Sequence, residues 1–114
     1  MSSGGKPIQW LGDSRDRLRR FPQAARRELG YQLSLVQSGR SPVDWKPIPT
    51  VGVGVVEIRV HVDGEYRAFY VAKFEEAVYV LHVFAKKTRK APLLDIELGK
   101  KRYRELSERR KRCE

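Results

Sequence analysis

Residues 55–85, with the sequence VVEIRVHVDGEYRAFYVAKFEEAVYVLHVFA, decide the fold, because polarity alternates along them with a period of two. The apolar residues of a first strand share one face, namely Val56, Ile58, Val60 and Val62, and the other face holds Glu57, Arg59 and His61. Asp63-Gly64-Glu65 predicts a hairpin turn into a second strand at Tyr66–Phe74, and Glu75-Glu76-Ala77 a turn into a third at Val78–Ala85. The segment therefore predicts an antiparallel meander with one buried face and one open face.

The segments around the meander predict helices, two of which can cover its buried face. The predicted elements are a strand at Lys6–Leu11, a helix at Arg15–Phe21, a helix from Pro22 to about Ser38, a proline-rich loop at Val43–Gly54 and a helix that begins at Pro92. The second helix has an apolar stripe of Ala25, Leu29, Leu33 and Val36. The order β-α-α-β-β-β-α predicts an α+β fold, in which an N-terminal helical hairpin lies on one face of an antiparallel sheet.

The chain length of 114 residues accommodates a single domain. We expect a flexible leader at residues 1–5, the folded domain at residues 6–107 and a basic tail at residues 108–114. No apolar run approaches the roughly 18 residues that cross a bilayer, and the first residues lack the layout of a signal peptide. The single cysteine, Cys113, cannot form an internal disulfide. These features predict a cytoplasmic protein without a membrane contact.

The charge of the chain is strongly unbalanced. It has 24 Lys and Arg residues against 14 Asp and Glu residues, with a formal net charge of +10 at pH 7 and a pI near 10.1. Such a surface attracts nucleic acid or an acidic protein. Motifs of other enzyme classes are missing: there is no nucleophile elbow, no glycine-rich phosphate loop before a helix and too few His and Cys residues for a zinc site. We therefore expect neither a metal nor a cofactor.

Cationic side chains are predicted to converge on the open face of the meander. Arg59 lies on that face, Arg67 begins the neighbouring strand, and Lys86 and Lys87 end the third strand. RNA can break its own backbone when a 2′-hydroxyl attacks the adjacent phosphorus, and preorganised cations stabilise the charge that develops there. We therefore assign the catalytic role to Arg59, Arg67, Lys86 and Lys87. Further RNA contacts are predicted at Lys46, Lys73, His82, Arg89 and Lys90.

Several groups could move the two protons of this reaction. A lysine crowded by arginines loses its proton more readily and could act as a base, and His61 or His82 could do so because imidazole titrates near neutrality. The same residues also have structural interpretations. Arg59 and Lys73 could be solvated side chains, Lys86-Lys87 a solvated turn, and His82 a core group. Spacing alone leaves catalysis and plain anion binding open.

Six segments in a fixed order carry a family resemblance over about Ile8 to Leu106. They are Phe21-Pro22, Ala25-Arg26-Arg27-Glu28-Leu29-Gly30, Asp44-Trp45-Lys46-Pro47, Gly54-Val55-Val56-Glu57-Ile58-Arg59-Val60, Tyr66-Arg67-Ala68-Phe69-Tyr70-Val71 and Val80-Leu81-His82-Val83-Phe84-Ala85-Lys86-Lys87-Thr88. In this order and spacing, the chain resembles the RelE/HigB-type toxins of bacterial toxin–antitoxin pairs, in particular their phage-related branch. The resemblance implies the same fold, a helical hairpin on an antiparallel sheet.

The resemblance also implies roles for individual residues. The Arg that begins the second meander strand in such toxins is Arg67 here, and the basic residues that end the third strand are Lys86 and Lys87. The basic position on the preceding strand falls on Arg59, whereas a second position, basic in some relatives, is Glu57 here. Glu57 could therefore be an acid/base group or a structural partner of Arg59. Some relatives use a C-terminal Tyr or His; Tyr103 is the candidate, although a position inside a helix would argue against it.

The activity implied by the resemblance is metal-independent cleavage of messenger RNA in the ribosomal A site, which inhibits translation. The implied partner is a small antitoxin of the helix-turn-helix type, through which the toxin would reach promoter DNA. Two alternatives remain: a ParE-like gyrase poison with the same fold, and a basic binding module without catalysis. ParE-like proteins generally lack the convergent cations, so Arg59, Arg67, Lys86 and Lys87 argue against the first alternative.

Overall fold

The computed structural model describes residues 5–90 and 92–112. Its elements in chain order are β1 (Ile8–Trp10), α1 (Ser14–Arg19), α2 (Gln23–Gln37), β2 (Trp45–Pro47), β3 (Val55–His61), β4 (Glu65–Val71), β5 (Val78–Ala85) and α3 (Leu93–Arg112). The strands form one sheet in the order β1-β5-β4-β3-β2. The predicted α+β fold, with a helical hairpin followed by a meander, is confirmed.

The meander has the predicted pairing, and its register decides which side chains share a face. β3 pairs antiparallel with β4, and β4 pairs antiparallel with β5. The turn between β3 and β4 places Asp63 at a φ of 52° and Gly64 at a φ of 140°, conformations that Asp tolerates and Gly adopts freely. Arg59 lies directly opposite Arg67 in this register. The alternation of faces then places Glu57 on the same side of the sheet as both arginines.

The two edge strands differ from the prediction. Trp45–Pro47 forms β2, which pairs antiparallel with β3, although its proline and those nearby predicted a loop. An edge strand accepts proline because one side of it needs no ladder hydrogen bond. β1 pairs with β5 in parallel, so the sheet is mixed rather than wholly antiparallel. Strands of three residues are too short for their periodicity to reveal either their pairing or their direction.

Apolar side chains cover both faces of the sheet. One core lies under α1 and α2 and includes Leu29 and Leu33 packed on Ile58. The second core lies under α3, where Leu106 packs with Phe69 in one cluster. Gly99 permits this close approach, since a Cβ there would lie 2.9 Å from the Cδ2 atom of Phe69. The expectation of one wholly open face is therefore wrong, because the apolar residues that β4 and β5 present on that face require a cover.

The C-terminal helix continues further than the sequence indicated. We expected a basic tail from residue 108, but α3 extends through Arg112. Arg110 lies with its guanidinium carbon 3.7 Å from the ring centroid of Phe74 and forms an ion pair with Glu76. The leader predicted at residues 1–5 lies outside the described residues except for residue 5, and so does Cys113. No described helix has the length and apolar composition needed to cross a membrane.

A buried histidine fastens α3 to the sheet. His82 is fully buried on β5, and its Nε2 atom lies 2.7 Å from Oδ1 of Asp95. Arg102 lies with Nη1 3.3 Å from His82 Nδ1 and donates from Nη2 to Oδ1 of Asp13 at 2.8 Å. Because a guanidinium group only donates, Nδ1 accepts and the proton lies on Nε2. Burial lowers the pKa of His82, although Asp95 opposes the shift.

Replacing His82 should destabilise the fold. In His82→Ala, Asp95 loses its buried partner and a void opens beside Phe69 and Phe84, so we expect a loss of about 2–4 kcal/mol in the free energy of unfolding. The matched control is the exposed histidine, with His61→Ala expected to change stability far less. Urea unfolding of both variants at pH 7.5 measures the difference in the free energy of unfolding. Equal losses in the two variants would contradict the role of His82 in fastening α3 to the sheet.

The stabilising effect of His82 should depend on pH in a defined direction. Its pKa in the folded state lies below the ordinary 6.5, so the unfolded chain binds the proton more readily. The contribution is full above pH 6.5 and is lost as the pH falls from 6.5 through the pKa of the folded state. The stability difference between the wild type and His82→Ala should therefore shrink in that window; a difference that grows on acidification would be inconsistent.

Candidate functional site

A cavity of about 310 Å³ opens where α3 leaves one end of the sheet uncovered. Its floor comes from β3 and β4, one wall from β2 and the loop after it, and another from the start of α3. The lining residues are Lys46, Pro47, Ile48, Pro49, Thr50, Glu57, Arg59, Arg67, Lys86, Pro92 and Ile96. We call this the cation cavity, because four of these residues are basic and only Glu57 is acidic. Three of the four residues predicted to be catalytic therefore meet in one place.

Glu57 lies between the two arginines. Its Oε1 atom accepts a hydrogen bond from Nε of Arg59 at 3.0 Å and one from Nη1 of Arg67 at 3.5 Å. Glu57 is 7% exposed and Arg67 is 7% exposed, whereas Arg59 is half-buried. Two guanidinium groups directly opposite each other on neighbouring strands would repel, and the carboxylate between them offsets that repulsion. The sequence left the role of Glu57 open; the geometry makes it a partner of both arginines.

Arg67 is held from a second side by Glu65. Its Nη2 atom donates to Oε1 of Glu65 at 3.1 Å, while its buried Nε atom has no hydrogen-bond partner among the residues that the structure describes. Buried guanidinium donors are normally satisfied, so this orphaned group indicates a side chain that is not at its best hydrogen-bonding geometry. Its orientation is imposed by the two carboxylates and by the sheet register.

His61 extends the same chain of charges to the edge of the sheet. Its Nδ1 atom lies 2.7 Å from Oε1 of Glu65 and its Nε2 atom 2.7 Å from Oδ2 of Asp44. The hydrogen bonds that His61 donates to Asp44 and Glu65 raise the pKa of His61, and the bond with His61 is the largest cause that lowers the pKa of Glu65. With His61 protonated, the cluster of three cations and three carboxylates is neutral. Sequence patterning did not reveal this network, because its acidic members are separated by up to 21 positions.

Lys86 differs from the arginines in that no acid holds it. Its backbone nitrogen donates to the carbonyl oxygen of Glu65 at 2.8 Å, which fixes its position at the end of β5. Within the parts of the chain that the structure describes, its side chain has no ion pair. It lines both the cation cavity and a neighbouring cavity of about 290 Å³, which also contains Lys87 and Arg89. Lys87 therefore lies beside the cation cavity rather than in it.

The remaining predicted contacts are divided between the site and other regions. Lys46 lines the cation cavity and Arg89 the neighbouring one. Lys90 is exposed but lines neither. Lys73 lies elsewhere, with Nζ 3.3 Å from the hydroxyl of Tyr103. His82 is fully buried, so the prediction that it contacts RNA is wrong; the alternative interpretation as a core group is correct.

Tyr103 has a structural role in α3. Its hydroxyl donates to the carbonyl oxygen of Val53 at 2.9 Å, and its ring covers Gly52, where a Cβ would lie only 2.5 Å from the ring. These contacts hold the loop before β3 against the helix, and Tyr103 does not line the cation cavity. Nowhere within residues 5–90 and 92–112 do three or more His, Cys, Asp or Glu side chains form a group that could hold a metal ion.

The sequence profile of the phage-derived Gp49-like proteins (DUF891) matches residues 16–104, which include both hairpin helices, the whole meander and the start of α3. The chain belongs to this family. The Gp49-like family is a toxin-like family related to the RelE/ParE-type toxins. No curated protein is significantly similar to the chain.

The charge network at His61 generates a prediction on pH. The folded pKa of His61 lies above the ordinary 6.5, so its contribution to stability is full below pH 6.5 and is lost as the pH rises through the folded value. Titration of the imidazole followed by NMR should give a pKa above 6.5 in the wild type and a lower one in Asp44→Asn, since the hydrogen bond to Asp44 is the largest cause. Asp63→Asn, in the nearby turn, is the matched control. An unshifted imidazole in the wild type would refute the network.

Proposed function

We propose that the protein is a metal-independent endoribonuclease of the RelE/HigB kind, which cleaves messenger RNA in the ribosomal A site and thereby inhibits translation. The observation that supports this most is the meeting of Arg59, Arg67 and Lys86 in one cavity with a single carboxylate, Glu57. A phosphodiester needs cations where its charge develops, and the reaction needs one group that accepts a proton and one that gives a proton.

The arginines are suited to hold the scissile phosphate. Each guanidinium group is a planar fork that can donate two parallel hydrogen bonds to phosphate oxygens. Arg59 is half-buried and can turn toward a ligand, whereas Arg67 is nearly enclosed and presents a fixed charge. When a phosphate enters, it replaces part of the contact that each arginine makes with Glu57. The negative charge of the five-coordinate phosphorus then lies between two cations that were already in place.

Glu57 is suited to accept the proton. In the proposed complex, the phosphate replaces Glu57 as the hydrogen-bond partner of the arginines, and the Glu57 carboxylate lies beside the reacting ribose. In the proposed step, Glu57 takes the proton of the 2′-hydroxyl as the new P–O2′ bond forms. The P–O5′ bond breaks, and Lys86, which has no ion pair within the described residues, gives a proton to the leaving oxygen. The products are a 2′,3′-cyclic phosphate and a free 5′-hydroxyl, and atoms and charge balance without an added reactant.

The basic surface around the cavity would bind the flanking RNA and the ribosome. Lys46 lines the cavity from β2, and Lys87 and Arg89, which follow β5, line the neighbouring one. Because β3 and β4 lie between β2 and β5, cations flank Arg59 and Arg67 on both sides. The net charge of +10 favours a polyanion as large as a ribosome. The family relationship further supports a cytoplasmic site of action and an antitoxin partner, which we propose to be a helix-turn-helix protein that connects the toxin to promoter DNA.

One observation favours a second candidate, a basic binding module without catalysis. Both arginines are already bonded to carboxylates, so that a phosphate must compete with Glu57 and Glu65 for them. If that competition were lost, the surface would still bind RNA through Lys46, Lys86 and their neighbours, but it would not cleave it.

A single substitution at Lys86 tests the catalytic proposal. Lys86→Ala removes a cation with no ion pair in the described residues, so it should leave the fold intact and slow cleavage by about 100- to 1,000-fold, the usual effect of losing one donor from an anionic transition state. Lys101→Ala, an exposed lysine on α3, is the matched control. Mapped messenger RNA ends, translation and DNA breakage after induction in bacteria provide the readout.

The outcomes separate the candidates. Codon-phased RNA ends that disappear in Lys86→Ala but persist in Lys101→Ala support the endoribonuclease. DNA breaks without RNA cleavage would indicate a gyrase poison, and growth arrest with neither would indicate a binding module. Arg67→Ala is less informative than Lys86→Ala, because it removes one ion-pair partner each from Glu57 and Glu65 and so changes stability as well.

A further inference from the structure

A cavity larger than the cation cavity lies away from it, between edge strand β1 and the second half of α3. Its volume is about 550 Å³, and its apolar floor includes Ala77, Tyr79 and Leu106. A second cavity of about 320 Å³ adjoins it and shares Leu106 and Arg109. Together they form one groove, which we call the edge groove. It shares no lining residue with the cation cavity.

The strand beside this groove lies at one edge of the sheet. Within residues 5–90 and 92–112, β1 pairs with β5 and with no other strand. The flanking bonds, from Leu11 N to Val80 O and from Val78 N to Pro7 O, set the alternation of the parallel ladder. Residues 7, 9 and 11 therefore bond toward β5, and the backbone groups of Ile8 and Trp10 point away from the sheet. Such an edge is a template for another extended chain.

The rim of the groove is basic. Arg109 lines both of its parts and Arg112 lines one, and neither forms an ion pair within residues 5–90 and 92–112. Arg110 also lines the groove, but Glu76 neutralises it. Two acids also line the groove: Glu76, which is paired with Arg110, and the exposed Glu105. Two unpaired guanidinium groups above an apolar floor complement a ligand that carries both carboxylates and apolar side chains.

We propose that the edge groove binds an extended acidic segment of a partner protein, which adds to the sheet as a sixth strand along β1. Successive side chains of an extended chain point to opposite sides, so every second residue of the segment enters the groove over Leu106 and Tyr79. Acidic side chains at the rim pair with Arg109 and Arg112. This site does not depend on the proposed RNA cleavage, and a partner bound there leaves the cation cavity uncovered.

A synthetic peptide can test this site on the full chain. The probe is a fluorescein-labelled peptide in which Asp or Glu alternates with Leu or Val, and its binding is measured by fluorescence anisotropy. The control peptide has the same composition with its acidic residues in one block, which keeps the charge and destroys the alternation. We expect the alternating peptide to bind at least tenfold more tightly, and its addition to shift the amide NMR signals of Ile8 and Trp10.

Variants of the protein locate the contact. The double substitution Arg109→Glu/Arg112→Glu should weaken binding of the alternating peptide at least tenfold, and Gln9→Trp should do the same by filling the cavity that Gln9 lines. The matched control is Arg15→Glu/Arg27→Glu, which makes the same charge change at exposed positions on α1 and α2.

Three results would overturn the proposal. The first is equal binding of the two peptides, which would mean that net charge alone attracts them. The second is equal weakening by the control variant. The third is an effect of Arg109→Glu/Arg112→Glu on RNA binding with none on peptide binding, which would make the groove rim part of a nucleic-acid surface. Failure of the cleavage proposal leaves these outcomes unaffected, because none of them uses nuclease activity as a readout.

Discussion

A single carboxylate, that of Glu57, holds two opposed arginines together on neighbouring strands. Without it, Arg59 and Arg67 would lie directly opposite each other across the ladder with no carboxylate bonded to both of them. With it, the sheet keeps two guanidinium groups at the floor of a cavity. In the proposed reaction, a phosphate of the RNA replaces this carboxylate as the partner of the arginines. The carboxylate that stabilises the free protein would then be the group that the substrate displaces.

The position of α3 determines how much of this cluster can be reached. Phe69 and Leu106 pack in the apolar core that the helix covers, and the bonds from His82 to Asp95 and from Arg102 to His82 fix the helix on β5. Because α3 begins only at Leu93, the segment before it leaves the end of the sheet open. The C-terminal end of α3 borders a second opening, the edge groove beside β1.

The sequence predicted the meander and the helical hairpin because long alternation and helical stripes are local signals. It placed Arg59, Arg67 and Lys86 together for the same reason, since two tight turns fix the register of three strands. The sequence left two interpretations open for Glu57 and two for His82, and it missed the strand at Trp45–Pro47. The burial of His82 depends on α3, and neither residue type nor spacing reveals whether a helix covers a given face. Because α3 covers this face of the sheet, His82, which the sequence predicted to contact RNA, is a buried residue that fixes the helix on the sheet.

Substitution of Glu57 by glutamine tests the central claim most directly. Ribosomes programmed with a messenger RNA that has a 2′-deoxy nucleotide at the cleavage position allow binding to be measured without reaction, and the unmodified RNA then gives the cleavage rate. If Glu57 both competes for the arginines and accepts the proton, Glu57→Gln should bind the deoxy substrate at least as tightly as the wild type. It should cleave the unmodified RNA about 10²- to 10⁴-fold more slowly, the usual effect of losing a positioned base. A folded Glu57→Gln variant that cleaves at the wild-type rate would contradict the account.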